Sequence, residues 1–204
     1  MNILQITRNM KARRITSQIQ YSVIALALMN IGVGGAVAQD SHSHEHEAIT
    51  AEQQTRAGAL VKAVRDATER FKDVAVAEAE GYAPQFGCVS GPDKGAMGLH
   101  YVNAALVSSG VLDPAHPQIV IYEPLPDGRL RLIGADFLVL ADTWNAGNHS
   151  GPPELMGQLF HWWESPNRFG LPAFYTLHVW AWKDNPNGAF VNWHPHVSCT
   201  SFGG

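Results

Sequence analysis

The sequence predicts an α+β fold in which one long amphipathic helix packs on an antiparallel sheet of about five strands. Apolar residues recur at helical spacing between residues 50 and 81, and short strand-like runs separated by Gly, Pro and Asn turns follow residue 84. Strands and helices do not alternate along the chain as they do in parallel sheets. We therefore expect an α+β arrangement in which the helix precedes the strands along the chain.

The predicted helix has a start signal and a stop signal. Thr50 can cap its first turn together with Gln53, and Gly81 stands where a left-handed residue would end it. The apolar stripe between them comprises Leu60, Val61, Val64, Ala67, Phe71, Val74 and Ala75. This spacing predicts a single helix that buries one face.

Five runs are predicted as strands, and two of them form a hairpin. The runs cover residues 99–103, 118–123, 129–140, 174–183 and 190–193. Residues 124–128, which read Pro-Leu-Pro-Asp-Gly, supply turn-forming residues between the second and third runs. Alternation in the fourth run places Leu177, Val179 and Ala181 on one face, suited to packing under the helix.

The N-terminus is typical of an export signal. Arg8, Lys11, Arg13 and Arg14 precede an apolar run at residues 23–29, and small residues end the segment at Ala38. An uncleaved membrane anchor is the alternative, but it needs about 20 consecutive apolar residues. We predict a signal peptide over residues 1–38, a disordered tail over residues 39–49, and a single domain over residues 50–204. The expected location is periplasmic or secreted.

Charge argues against two classes of partner. Without residues 1–38 the chain carries 10 Lys and Arg against 18 Asp and Glu, a formal net charge of −8. Such a balance disfavours nucleic acid and anionic lipid as partners. No second apolar segment suggests a membrane span after cleavage, so the expected partners are a metal ion or a small molecule.

An oxidising compartment favours pairing the two cysteines, Cys88 and Cys199. The predicted disulfide closes a loop of about 110 residues, for which the chain-entropy model gives roughly 4 to 5 kcal/mol. Two free thiols at separate sites are the alternative.

Several polar residues fall on the apolar faces of predicted strands. His100, Glu123, Asp136 and His178 each share a strand face with aliphatic or aromatic residues. Burying such groups costs free energy unless each finds a partner or an ion. The sharper interpretation is a mononuclear metal site formed by His100, His161 and His178 with Glu123 or Asp136, holding Zn, Cu, Fe or Mn. The plainer interpretation is that these are structural residues paired with one another.

The other histidines and the tryptophans have plainer roles available to them. The tail residues His42, His44 and His46 can chelate a metal without any fold, or can belong to a solvated linker. His194 and His196 flank Pro195, which suggests an exposed terminal extension. The tryptophans fit a buried core better than a ligand platform; they are Trp162, Trp163, Trp180, Trp182 and Trp193.

Four segments resemble an uncharacterised family of exported bacterial proteins. They are residues 95–103 (GAMGLHYVN), residues 112–124, residues 177–180 (LHVW) and residues 185–190 (NPNGAF), and the resemblance spans about residues 75–200. It implies a bacterial exported domain and no catalytic assignment. Two functions are therefore expected from the residues: an exported metal-binding protein, with a metalloenzyme as one form of it, or a non-enzymatic small-ligand-binding or envelope interaction module with structural histidines.

Overall fold

The computed structural model describes residues 49–147 and 149–203, and these residues form an α+β fold around a curled antiparallel sheet. Within the described residues the sheet has six strands rather than the expected five. The signal peptide predicted for residues 1–38 lies outside the described residues, as do His42, His44 and His46 of the predicted tail.

The first helix begins as predicted but ends early. Helix α1 spans Ala51–Thr68, with the Gln53 backbone N–H donating to Thr50 Oγ1 at 3.2 Å and the Thr50 N–H donating to Gln53 Oε1 at 2.7 Å. A 3-10 turn at Glu69–Lys72 follows, and then a separate helix α2 at Val74–Ala79. No helix in the described part of the chain is long and apolar enough to cross a membrane.

The prediction of one continuous helix up to Gly81 was wrong because of Asp73. This residue adopts an extended conformation, and its Oδ1 accepts from the Ala75 N–H at 3.0 Å. A short carboxylate side chain competes in this way for backbone donors, so it stops one helix and caps the next. Gly81, with φ of 92°, ends α2.

The described residues form eight strands. They are β1 Tyr82–Gly91, β2 Gly95–Asn103, β3 Ile119–Pro124, β4 Leu130–Leu140, β5 Glu154–Leu155, β6 Gln158–Leu159, β7 His161–Trp163 and β8 Phe174–Val179. Six of them run antiparallel in the order β1-β2-β3-β4-β8-β7, and β5 pairs with β6 in a separate two-stranded hairpin. Two short helices follow β2 and β4, namely α3 at Ala104–Ser109 and α4 at Ala141–Ala146.

The hairpin of β3 and β4 is confirmed, whereas the edges of the sheet differ from expectation. The Leu125 N–H donates to the Arg129 carbonyl at 2.9 Å, which closes the predicted turn. Residues 190–193 are all described and form no strand. The edge strands β1 and β7 escaped prediction because β1 contains Pro84, Gly87 and a bulge, and β7 is three residues long.

One face of the sheet, called the helix face here, holds the main core. Leu60 and Val64 of α1 pack on Phe137, Leu177 and Val179, all of them buried. The predicted placement of Leu177 and Val179 under the helix is thus confirmed. A second cluster lies further along the same face; it contains Phe71, Ala77, Tyr82, Leu99, Tyr101, Val120, Tyr122 and Leu132.

The disulfide between Cys88 and Cys199 is confirmed. The two Cα atoms lie 5.6 Å apart although the residues are 111 positions apart in the chain. The bond ties the C-terminal segment to β1. The same segment is also held by the pairing of His194 with Ala96 at the start of β2.

Candidate metal centre

The face of the sheet opposite the helices, called the pocket face here, carries three polar residues from three strands. Asp136 on β4 lies directly opposite His178 on β8. His100 comes from β2 on the other side of β3, and the ring centroids of His100 and His178 are 5.7 Å apart. The curl of the sheet brings β2 and β8 towards each other over β3. Ile119 of β3 lies opposite Asp136.

The geometry of this group suits a small ion. One nitrogen from each histidine and one Asp136 oxygen lie within 4.8 Å of one another. The three side chains are buried, with exposed fractions of 4% for His100 and 3% each for Asp136 and His178. Zn–N and Zn–O distances are about 2.0–2.2 Å, so small side-chain movements suffice for all three to contact one ion.

His178 is the most informative member of the group. In the described part of the chain neither its Nδ1 nor its Nε2 has a hydrogen-bond partner. Nδ1 lies 3.6 Å from Asp136 Oδ2, too far for a hydrogen bond. The Asn192 side chain lies near the His178 ring and raises its pKa, and Asn192 Oδ1 is likewise buried without a hydrogen-bond partner among the described residues. A buried polar group left without a partner costs about 1–3 kcal/mol, so its retention calls for an explanation.

His194 shows what a structural buried histidine looks like in this fold. Its exposed fraction is 1%, its Nε2 donates to the Asp184 carbonyl at 3.1 Å, and its Nδ1 accepts from the His196 N–H at 3.0 Å. The expectation that His194 lies in an exposed extension was therefore wrong. Both of its ring nitrogens are satisfied, unlike those of His178.

The other two members of the group are oriented by neighbours. His100 Nδ1 donates to the Gly98 carbonyl at 3.2 Å, which leaves the Nε2 lone pair free. Asp136 Oδ1 accepts from Thr176 Oγ1 at 2.6 Å, and Asp136 Oδ2 lies 3.6 Å from His178 Nδ1. Partners of this kind fix the orientation of metal-binding side chains in many proteins.

Burial sets the protonation states. Desolvation, helped by the neighbouring His178, lowers the pKa of His100 to about 4, and desolvation with the nearby His161 lowers the pKa of His178 to about 3. Desolvation raises the pKa of Asp136 to about 6, against the opposing effect of the Thr176 hydrogen bond. At neutral pH the group therefore has two neutral imidazoles and a carboxylate, the forms that bind metal.

We expect the metal-free protein to lose stability as the pH falls from about 6 to 4. In that range the unfolded chain protonates both histidines, while the folded chain keeps them neutral and protonates Asp136 instead. The unfolded state therefore binds about one more proton, and the free energy of unfolding should fall by about 1.4 kcal/mol per pH unit. Urea unfolding at several pH values with a chelator measures this slope. For His178→Leu the slope should drop towards zero, and equal slopes for the two proteins would contradict the assignment.

A small cavity adjoins the three side chains. Its volume is about 20 Å³, and its remaining walls are largely apolar, with the Thr176 hydroxyl and the Trp163 indole N–H as further polar groups. The apolar walls include Phe86, Met97, Ile119, Leu138, Trp163, Phe169, Leu171 and Phe174. The three candidate ligands thus face a small and largely apolar space.

Two of the sequence-predicted ligands are not brought into this group. Glu123 accepts from Lys183 Nζ at 2.8 Å through both carboxylate oxygens, so it is occupied by an ion pair. His161 is exposed, and its Nε2 donates to the Phe190 carbonyl at 3.1 Å. Among the described residues the three-membered group contains neither of them, and Asp136 supplies the carboxylate.

The supporting residue Thr176 had a partial signal in the sequence. Period-two alternation places it on the same strand face as His178. In the β4–β8 register Thr176 pairs with Leu138, and His178, two residues further along, pairs with Asp136. This register brings the Thr176 hydroxyl within hydrogen-bonding distance of Asp136. The cavity residue Phe169 lies in the loop before β8 and had no sequence signal.

Comparison with protein-family models, curated proteins and solved structures finds no match for this chain. The resemblance to exported bacterial proteins stays a prediction.

Proposed function

We propose that this chain is an exported protein that binds one divalent transition-metal ion through His100, Asp136 and His178. The observation that carries the proposal is the pair of buried His178 ring nitrogens that have no hydrogen-bond partner in the described residues. An ion would give one of them a partner. It would also compensate the buried carboxylate of Asp136, whose desolvation is otherwise costly.

The number and type of the ligands favour some metal ions over others. Three protein ligands leave at least one coordination position open, as in catalytic zinc sites, whereas structural zinc sites are closed by four protein ligands. Two histidines and one carboxylate are also the ligands of many non-haem Fe(II) sites. Zn and Fe are therefore the first ions to test, ahead of Mn and Cu, and a metalloenzyme is the finer form of this proposal.

Export is supported by the sequence and by the disulfide. Residues 1–38 have the order of a signal peptide, and their basic, apolar and small-residue parts follow one another as secretion requires. Cys88 and Cys199 are bonded, as expected for an oxidising compartment such as the periplasm. The resemblance to exported bacterial proteins agrees with this location.

Elemental analysis of the purified full chain tests the proposal. The tail residues should first be replaced as His42→Gln, His44→Gln and His46→Gln, so that the tail does not contribute chelated metal. After mild chelation and reloading with Zn(II) or Fe(II), we expect about one ion per chain. In the same background Asp136→Asn should weaken binding by more than about 100-fold, because it removes the charged ligand.

An exposed pair of the same chemical type serves as the matched control. His116 Nδ1 lies 2.7 Å from Asp113 Oδ2 on the surface, and neither residue belongs to the buried group. Asp113→Asn should leave the stoichiometry and affinity unchanged. Unchanged binding in Asp136→Asn would overturn the site, and no retained metal in the parent protein would favour the ligand-binding module with structural histidines.

A further inference from the structure

We infer that the metal's open position takes one small monoanion, of the size of hydroxide or formate, and excludes ring-sized organic ligands. This inference rests on the proposed metal site and adds the chemical class of its external ligand. It follows from three properties of the cavity: the small number of other polar groups in its described lining, its charge and its size.

The lining offers an incoming molecule little to bind except the ion. Apart from the three ligands, Thr176 is the one hydroxyl-bearing residue among the described residues of the wall, and its hydroxyl is already bonded to Asp136. The rest of the wall is aliphatic, aromatic or thioether surface, such as Met97, Leu138 and Leu171, apart from the indole N–H of Trp163. A ligand in this space must therefore be held mainly by the metal itself.

Charge balance selects an anion of single charge. A divalent ion with one carboxylate and two neutral imidazoles has a net charge of +1. Apart from Asp136, no Asp, Glu, Lys or Arg lies among the described residues that line the cavity. An uncompensated charge in an apolar space is unfavourable, so one monoanion stabilises the site and a dianion does not. Hydroxide is the monoanion that a bound ion generates from water near neutral pH.

The size of the cavity excludes ring-sized organic ligands. The cavity volume of about 20 Å³ exceeds the roughly 10–15 Å³ that one water molecule requires, but it is far below the roughly 150 Å³ of a cavity that holds a benzene ring. Aromatic side chains narrow it: the Phe169 ring lies 5.3 Å from the Phe86 ring and 5.3 Å from the Trp163 ring, and 6.0 Å from the Phe174 ring. Phe169 thus contacts the other three aromatic rings of the wall.

Phe86 forms the outer part of this wall in an unusual conformation. It lies in the β1 bulge between Gln85 and Cys88, has φ of 65°, and is 37% exposed. A non-glycine residue in the left-handed region is strained by roughly 1–3 kcal/mol, and such strain is found preferentially at ligand sites. The bulge therefore places an aromatic ring at the cavity where a regular strand would not.

Co(II) loaded into the full-chain protein gives a test by visible absorption, which responds to a change in coordination. The tail-substituted background described above should be used, with formate, formamide and benzoate as the added probes. Formate and benzoate carry the same charge and ligating group but differ in size, and formamide matches formate in size without the charge. We expect formate to change the spectrum saturably, and benzoate and formamide to bind at least about 100-fold more weakly.

Removing part of the wall should change the size limit alone. Phe169→Ala should admit benzoate with an affinity within about 10-fold of formate, since it removes the ring that contacts three others. Phe86→Ala, at a partly exposed position, serves the same purpose if Phe169→Ala does not fold. Trp162→Ala is the matched control because Trp162 is 53% exposed and lies outside the described lining.

The outcomes separate the inference from the proposed function. Absence of Co(II) absorption before any probe is added would overturn the metal site and the inference with it. A Co(II) spectrum that is insensitive to formate, or that responds equally to benzoate or formamide in the parent protein, would overturn the inference and leave the metal site standing.

Discussion

Replacing Cys88 and Cys199 together with alanine is expected to lower the free energy of unfolding by about 4 kcal/mol. The disulfide joins residues 111 positions apart, and without it the unfolded chain gains the freedom of a very long loop. Because a domain of ordinary size has only about 5–15 kcal/mol of stability, this is a large fraction of the total. Guanidinium unfolding of the two proteins, both in chelator, measures the difference.

Wild-type protein treated with a thiol reductant is the control for this experiment. It should unfold with the same midpoint as the double variant, since both lack the covalent link but keep the same packing. A difference below about 1 kcal/mol between the oxidised protein and the variant would contradict the prediction. It would indicate that the contacts of the C-terminal segment, including the pairing of His194 with Ala96, constrain the chain without the bond.

Replacing His178 with leucine is expected to abolish metal binding without destabilising the metal-free protein. The substitution removes two buried nitrogens that have no hydrogen-bond partner among the described residues and replaces them with apolar surface. Such a change is neutral or stabilising by up to about 2 kcal/mol. In excess Zn(II) the wild type should gain about 4 kcal/mol at 1,000 times the Kd, and the variant should gain none.

His194→Leu provides the matched control for this variant. Both histidines are buried, but both ring nitrogens of His194 are hydrogen bonded, to the Asp184 carbonyl and the His196 N–H. His194→Leu should therefore lose about 2–4 kcal/mol with or without metal while still binding Zn(II). If His178→Leu is destabilised in chelator as strongly as His194→Leu, His178 is a structural residue and the metal site is not supported.

Retention of a residue that weakens the metal-free fold is typical of functional sites. A sequence selected for stability alone would place an aliphatic residue at position 178, among Ile119, Leu138 and Met97. At position 178 we expect leucine to maintain or raise the free energy of unfolding of the metal-free protein and to abolish metal binding. This opposition distinguishes a binding site from a well-packed polar core.

Local signals in the sequence predicted much of the fold. The Thr50 and Gln53 capping box, the turn at residues 124–128 and the period-two alternation in β8 all depend on residues close together in the chain, so they could be read directly. The pairing of Cys88 with Cys199 also followed, because two cysteines in an oxidising compartment have one intramolecular pairing. The break at Asp73 did not follow, because capping competes with helix continuation by a narrow margin of free energy.

Local sequence signals did not identify which of the candidate ligands meet. Alternation showed that His100, Glu123, Asp136 and His178 each lie on an apolar strand face. Glu123 is neutralised by Lys183, 60 positions away, and His161 is bonded to the Phe190 carbonyl. Neither partner can be inferred from spacing along the chain.

The sequence by itself determined which residues alternate towards each face of a strand and where α1 starts. Export is predicted from the sequence alone. Only the tertiary structure decided that His100, Asp136 and His178 meet. Their strands are separated by β3 or by long loops, and convergence depends on strand register and on the curl of the sheet. Register and curl are set by the packing of the whole sheet, which no local window of residues contains.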